Sequence, residues 1–228
     1  MDSIEQLMSF SLTRQEAAIY LTLLSEGPLT GYEVSKQSGI SRSNSYTALA
    51  SLVEKGAAQV MEDTATRYVP VDIEEFCENK IRAMTKQKQS LHENLPLAKA
   101  DCDGYITIRG GSHVLDKTVH LIVSAQERLY LSVGGLYLPL LEEYLRSSVA
   151  SGRKVVVMTD VPFKLEGAIL YMAKNPVEQF RLITDSSAVL TGDLSPQGSC
   201  LYSKNRNLVD LFKQTLRNEM RLIELQEI

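Results

Sequence analysis

Arg42, Ser43 and Asn44 are the residues of this 228-residue chain whose types and spacing most directly suggest chemistry. A guanidinium pairs in bidentate fashion with guanine, a carboxamide with adenine, and a short hydroxyl with base edges or neighbouring phosphates. Ser41 stands just before them as a helix N-cap, so the three fill the first exposed turn of a helix. The stretch from Thr30 to Lys55 reads as two helices joined by a tight turn. Thr30 with Glu33 makes a capping box for the first helix. Ser38-Gly39 ends it, because glycine takes the left-handed conformation that a helix C-terminus often needs. Val34 and Ile40 bracket the turn, and Tyr46, Leu49, Leu52 and Val53 give the second helix an apolar side. This is the layout of a helix-turn-helix whose second helix enters the major groove by its N-terminal end. It is equally the layout of an αα-hairpin that only packs.

The elements that must position this pair flank it. Residues 13 to 26 form a helix with a second capping box, Thr13 and Glu16, and with Ala17, Ile19, Tyr20, Leu23 and Leu24 at helical spacing. Gly27-Pro28 stops it. After Gly56, the runs AAQVME and RYVPV around the polar tip DTAT read as a β-hairpin. Three helices and a hairpin make a winged helix, with the wing tip near Asp63 to Thr66. From Ile73 to Leu95 the chain is a long helix. Cys77, Ile81, Met84, Lys88, Leu91, Leu95 and Ala98 alternate by four and three as a heptad seam with Lys88 as its polar member. About three heptads make a weak coiled coil in isolation, and the same stripe suits a helix lying on its own domain. Pro96 should end or kink it, and Asp101 to Gly104 marks a domain boundary.

Bulk properties bound the possibilities. Hydrophobic residues make up 44% and charged residues 23%, as in a globular protein. No apolar run reaches the roughly 18 to 20 residues that cross a bilayer, and the N-terminus lacks the features of a signal peptide, so a cytoplasmic location is expected. Cys77, Cys102 and Cys200 are too scattered for a structural zinc site and read as buried or incidental thiols. The net charge is −4, and through Glu75 there are 11 acidic residues against 5 basic ones. That balance opposes strong nonspecific DNA affinity, which comes mostly from phosphate neutralisation. Clustering of Lys36, Arg42 and Arg67 on one face would offset it.

The run from Leu12 to Phe76 resembles the N-terminal domain of the TrmB family of prokaryotic transcription regulators. The matching features are Leu12-Thr13 with Glu16-Ala17 and Tyr20, Gly27-Pro28, and Ser38-Gly39-Ile40 followed by Arg42-Ser43 and Tyr46. Leu49 and Leu52 with Glu54-Lys55-Gly56 follow, then Arg67-Tyr68 and Pro70. The resemblance implies a homodimer whose winged helix reads a double-stranded operator. The residues at that surface would be Lys36, Ser41, Arg42, Ser43, Asn44 and Tyr46, with Arg67 helping from the wing. Two departures stand out: Asn44 where relatives often have a basic residue, and Glu62 and Asp63 at the wing tip.

Residues 105 to 228 alternate extended and helical patterns. The expected order is strand YITIR, a helix to about Ala125, strand RLYLSV, helix LPLLEEYLRSSVASG, and strand KVVVMTD with the apolar character of a buried parallel strand. A helix from Pro162 to about Lys174 follows, then strands QFRLIT, AVLTGD and SCLYS, helix LVDLFKQTLRNEM and a last strand RLIELQ. This is an α/β domain with a mixed sheet. It resembles the phospholipase-D-like sensor domain of TrmB-family members. An active phospholipase-D-like site needs a histidine with a lysine two residues later; His92, His113 and His120 all lack it, and Lys117 stands four residues after His113. Catalysis, a metal and a cofactor are therefore not expected.

The fold expected is a multidomain α/β protein: a winged helix over 1–72, a helical linker and dimerisation coiled coil over 73–102, and an effector-sensing domain over 103–228. In open α/β sheets ligands settle outside the carboxyl ends of parallel strands. Those ends carry Gly110, Gly111 and Ser112, then Ser132, Gly134 and Gly135, then Thr159 and Asp160. The helix N-termini that follow would offer N–H donors to an anion or a sugar, although turn geometry alone also calls for Gly and Ser there. Three functions stay open: a DNA-binding regulator, an interaction or scaffold protein with the same domains, and a degenerate phosphodiesterase.

Overall fold

The structure, a computed structural model, describes residues 2–62, 65–96, 104–173 and 180–226. Contacts divide the chain into two compact units, Met1–Ala98 and Lys99–Ile228.

The first unit opens with α1 (Ser3–Ser9), a short helix that the sequence pattern did not reveal. Then come α2 (Arg14–Glu26), β1 (Leu29–Thr30), α3 (Gly31–Ser38) and α4 (Arg42–Glu54). Both predicted capping boxes form: Thr13 and Glu16 cap α2, and Thr30 and Glu33 cap α3. Gly39 takes the left-handed turn at φ 70° that separates α3 from α4. The wing is β2 (Ala58–Met61) and β3 (Arg67–Pro70), and β1 adds to it in the order β1-β3-β2. Asp63 and Thr64 of the expected wing tip lie outside the described residues. One core, built on Ile19, Tyr20, Leu23, Val34, Leu49, Leu52 and Phe76, joins all of these elements. The Tyr20 hydroxyl donates a 2.7 Å hydrogen bond to the Val71 carbonyl and its ring lies 5.5 Å from that of Phe76. Burial pushes the Tyr20 phenol up to about 12. Lys55 Nζ reaches Glu16 Oε2 at 2.6 Å and ties the end of α4 to the head of α2.

Helix α5 (Ile73–Asn94) is capped by Asp72, whose carboxylate accepts the N–H groups of Glu74 and Glu75. Phe76 anchors its first turns in the core, and from Ile81 onward every described residue of the helix is exposed. The helix ends just before Pro96. Ala98 of the seam, the Asp101–Asp103 part of the expected boundary, and Cys102 lie outside the described residues.

The second unit is a seven-stranded sheet between two helical layers. Its strands are β4 (Tyr105–Arg109), β5 (Arg128–Ser132), β6 (Lys154–Thr159), β7 (Ile169–Met172), β8 (Phe180–Thr184), β9 (Ala188–Gly192) and β10 (Ser199–Ser203). Their order is β4-β10-β9-β8-β5-β6-β7, with β5, β6 and β7 parallel and the other pairs antiparallel, so the sheet is mixed. Helices α6 (Gly111–Ser124) and α7 (Leu138–Ala150) cover one face through Val114, Ile122, Leu141 and Leu145 against Leu129, Val157, Leu182 and Leu190. Helix α8 (Arg206–Gln226) covers the other, with Val209 and Leu216 on Met158, Ile183 and Val189. Alternate residues of the central strands feed the two cores, so these strands carry apolar residues on both faces.

Two sequence expectations fail here. The segment after Pro162 is not a helix: Gly167 sits at φ 83°, and Ile169–Met172 pairs with β6 as the parallel edge strand β7. Lys174 itself lies outside the described residues. The segment RLIELQ is not a strand but the last turns of α8. No glycine or proline separates it from the helix before it, and Phe212, Leu216, Met220 and Ile223 continue one helical stripe onto the sheet.

Candidate nucleic-acid interface

The Ser41 hydroxyl accepts the Asn44 N–H at 3.4 Å and starts α4 with Arg42, Ser43 and Asn44 in its first turn. Ser45 faces inward and donates its hydroxyl to the Ile40 carbonyl, fixing the entry of the chain into the helix. Ala48, Leu49 and Leu52 bury the opposite side. Ser41, Arg42, Ser43, Asn44, Tyr46, Thr47 and Ala50 are left exposed. Arg42 does not trail in solvent: its guanidinium carbon lies 4.5 Å above the ring of Tyr32 on α3. A cation held on an aromatic face keeps its N–H edges free for hydrogen bonds and loses less freedom on binding.

The sequence places Tyr46 both on the apolar side of α4 and at the outward surface. In the structure it is 49% exposed and its ring lies across Gly31 at the start of α3. A Cβ at Gly31 would collide with Tyr46 Cε1. Tyr46 therefore belongs to the outer surface and fixes how closely α3 and α4 approach.

Arg67 departs from expectation. Its Nη1 donates to the Pro28 carbonyl at 3.2 Å and lies 3.6 Å from Glu33 Oε2. The register of β1 on β3 sets Arg67 opposite Thr30, which explains the contact. The side chain ties the wing to the head of α3 rather than extending from it. Lys36, in the last turn of α3, is exposed as expected. The charge left on this face comes from Arg42 and Lys36. Sequence reasoning missed Tyr32, because a tyrosine two residues into a helix reads as ordinary until the helix crossing sets it under Arg42.

The shifted carboxylates of the chain have structural causes. Burial alone would raise the Glu16 carboxyl, but the Lys55 ammonium, the Thr13 N–H and the Ser51 hydroxyl hold it below its ordinary 4.5. The Thr30 N–H and hydroxyl lower Glu33. Asp185 is opposed by burial and lowered by the N–H groups of Arg128, Gln126 and Glu127.

The strand-end residues of the second unit do not form one site. Strands β10, β9 and β8 lie between β4 and β5, so Gly110, Gly111 and Ser112 are about 19 Å across the sheet from the β5 end, at ~4.8 Å per strand. The N–H groups of Gly110 and Gly111, expected to be free, already donate to the carbonyls of Gly198 and Pro196. Ser132, Gly134, Gly135, Thr159 and Asp160 do come together at the ends of β5 and β6. The Gly135 N–H donates to Asp160 at 2.6 Å. Ser132 is buried and accepts from Arg181, whose guanidinium forks onto Glu219 of α8 at 2.7 and 2.8 Å. Thr159 Oγ1 is, among the described residues, the buried side-chain polar atom with no hydrogen-bond partner. Lys117, four residues after His113, stacks 4.3 Å from the Tyr202 ring, and burial lowers its pKa. It is part of the packing of α6 on β10. No cluster of metal-ligating side chains occurs among the described residues, and no described helix is long and apolar enough to cross a membrane.

Residues 7–74, the span of the capped helices and the wing, match the family model described as the sugar-specific transcriptional regulator TrmB. This is a TrmB-family winged helix. The chain is similar to the uncharacterized protein YrhO of Bacillus subtilis, 32% identical over 158 residues, 68% of this chain and 58% of that protein. It is also similar to the HTH-type sugar sensing transcriptional regulator TrmBL1 of Pyrococcus furiosus, 28% identical over 160 residues, 68% of this chain and 46% of TrmBL1. The chain thus spans about half the length of the curated relatives it matches. Among solved structures, TrmBL2, described as an archaeal chromatin protein with a novel mode of DNA binding, matches 95% of both chains at 22% identity and a TM-score of 0.44. A TM-score below 0.5 establishes no shared fold.

Proposed function

We propose that the chain is a DNA-binding transcription regulator of the TrmB type, acting in the cytoplasm on a double-stranded operator. The observation that carries this reading is the exposed first turn of α4, where Ser41, Arg42, Ser43 and Asn44 stand on a buried helix and Arg42 is braced on Tyr32. A helix presented in this way suits entry into the major groove by its N-terminal end, with Arg42 reading guanine and Asn44 adenine. Lys36 contacts phosphate. Arg67 positions the wing. Helix α5 pairs two subunits through its exposed seam. The second unit carries a phospholipase-D-like sheet that performs no catalysis, since none of the three histidines stands two residues before a lysine. Its effector, a sugar or an anion, binds at the ends of β5 and β6, near Ser132, Gly134, Gly135, Thr159 and Asp160. Gly111 and Ser112 are not part of that site.

Binding of duplex DNA from upstream of the protein's own gene, followed by fluorescence anisotropy at low salt against a scrambled duplex, tests the reading. A specific shift that Arg42→Ala weakens supports it. Equal binding to both duplexes, or an Arg42→Ala variant indistinguishable from the wild type, overturns it in favour of an interaction protein.

A further inference from the structure

The exposed part of α5 carries more information than a generic apolar stripe. Ile81, Met84 and Leu91 are each between 51% and 56% exposed, as is Leu95 just past the end of the helix, and Cys77, half-buried, begins the same row. Written as heptads, Cys77, Met84 and Leu91 occupy the d positions, and Ile81, Lys88 and Leu95 the a positions. A row of this kind needs a partner helix, because the 14 exposed residues from Ile81 to Asn94 are marginal alone in water.

A second copy of α5 is the partner whose chemistry can be read from the row itself. In a parallel in-register pair each a residue meets its own copy, so Lys88 faces Lys88 of the partner subunit inside the seam. Two ammonium groups there repel with no counter-charge, because the neighbouring flanking positions are Gln87, Thr85 and His92. In an antiparallel pair a meets d. Ile81 then meets the partner's Leu91, and Met84 the partner's Lys88. The four layers that lie within both helices fill. The Lys88 stem lies along methionine while its ammonium reaches water. The flanks agree: Glu78 faces the partner's His92, Lys80 faces the partner's Asn94, and no like charges meet.

The groove at the head of α5 fits the same arrangement. Leu7, Phe10, Leu21, Leu24, Ile73 and Cys77 line an apolar hollow of about 490 Å³ between α1, α2 and α5. It is continuous with the seam through Ile73 and Cys77. The antiparallel register brings the C-terminal end of the partner's α5 beside Cys77, at the mouth of this hollow.

We propose that α5 pairs with a second copy of itself in antiparallel orientation, in the register that sets Ile81 against Leu91 of the partner subunit. The proposal rests on the reading that α5 dimerises the chain and is independent of DNA binding. The two Cys77 residues then lie about 27 Å apart along the seam, 18 residues at ~1.5 Å each.

The test is disulfide trapping in the full-length chain with Cys77→Ser, Cys102→Ser and Cys200→Ala as background. Ile81→Cys and Leu91→Cys are made as separate proteins and oxidised alone and after mixing. The antiparallel register places equivalent positions about 15 Å apart, beyond the reach of a disulfide. Each protein alone should stay monomeric on non-reducing gels. The mixture should trap about half of the chains, the share that random exchange gives to mixed dimers. The Glu78→Cys and His92→Cys pair, at exposed flanking positions that do not affect the core, should behave the same way. Trapping by either protein alone, or no trapping in any mixture, overturns the proposal. DNA binding by the reduced proteins, measured separately, keeps its failure distinct from failure of the regulator reading.

Discussion

The Arg42 guanidinium lies 4.5 Å above the Tyr32 ring, so the first helix of the pair holds the arginine of the second. The expected consequence is an order of effects. Arg42→Ala should weaken specific duplex binding by roughly 5- to 150-fold, the ~1–3 kcal/mol of a bidentate base contact. Tyr32→Leu should weaken it by less, because the guanidinium remains but is no longer oriented. Anisotropy titrations on one duplex, with melting temperatures measured alongside, check both: neither exposed substitution should lower the melting temperature appreciably.

The salt dependence should be shallow. With Arg67 held by Pro28 and Glu33 and Arg42 directed to a base edge, Lys36 is the cation left for phosphate. Each neutralised phosphate contributes a slope of about −0.9, which gives roughly −1 per subunit in log K against log salt. A much steeper slope would mean that other basic residues also meet the DNA. Arg67→Met should leave the slope unchanged while loosening the wing, visible as faster proteolysis there.

The Glu16–Lys55 pair should make the winged helix acid-sensitive. The folded Glu16 pKa lies below the unfolded 4.5, so its stabilisation is fully present above pH 4.5 and is lost as pH falls through the folded value. Glu16 is 7% exposed by side chain and Lys55 27%, so removing one partner strands a mostly buried charge. Lys55→Met should cost about 2 kcal/mol at neutral pH, less than a fully buried pair, and the loss should shrink below pH 4.5. Urea unfolding at pH 7 and pH 3.5 measures both.

Tyr20→Phe removes the donor that satisfies the Val71 carbonyl next to the α5 cap. The expected loss is about 1–3 kcal/mol, the cost of an unpaired buried acceptor, with the ring packing on Phe76 retained. Differential scanning calorimetry of the two proteins gives the answer.

Thr159→Val should act in the opposite direction. The Oγ1 is buried without a partner, and valine keeps the shape while removing the unsatisfied hydroxyl. Stability should rise by about 1 kcal/mol. A loss instead would show that the hydroxyl has a partner in solution, which effector screening on Thr159→Val would then pursue.

The winged helix was legible because its signals are local. Thr13 with Glu16 and Thr30 with Glu33 announce helix starts over four residues, and Gly39 announces a stop. The contacts of Tyr32, Tyr46 and Arg67 were not legible, because each depends on a crossing or register between separate elements. The same division holds in the second unit. The apolar run of β6 showed a buried parallel strand, but nothing local placed β10, β9 and β8 between β4 and β5, and that order divides the strand-end residues. The helix expected after Pro162 failed at Gly167. The strand expected after Met220 failed because alternating apolar residues at a helix end look extended until the stripe is followed back to Phe212.

The contact of Tyr46 on Gly31 makes a residue outside α4 part of what aims that helix. Any side chain at position 31 must turn the tyrosine ring or push the two helices apart, and either change re-aims Arg42 and Asn44 together. Selection for altered operator preference should therefore recover substitutions at Gly31 as well as on α4, each shifting the whole footprint rather than exchanging one base for another.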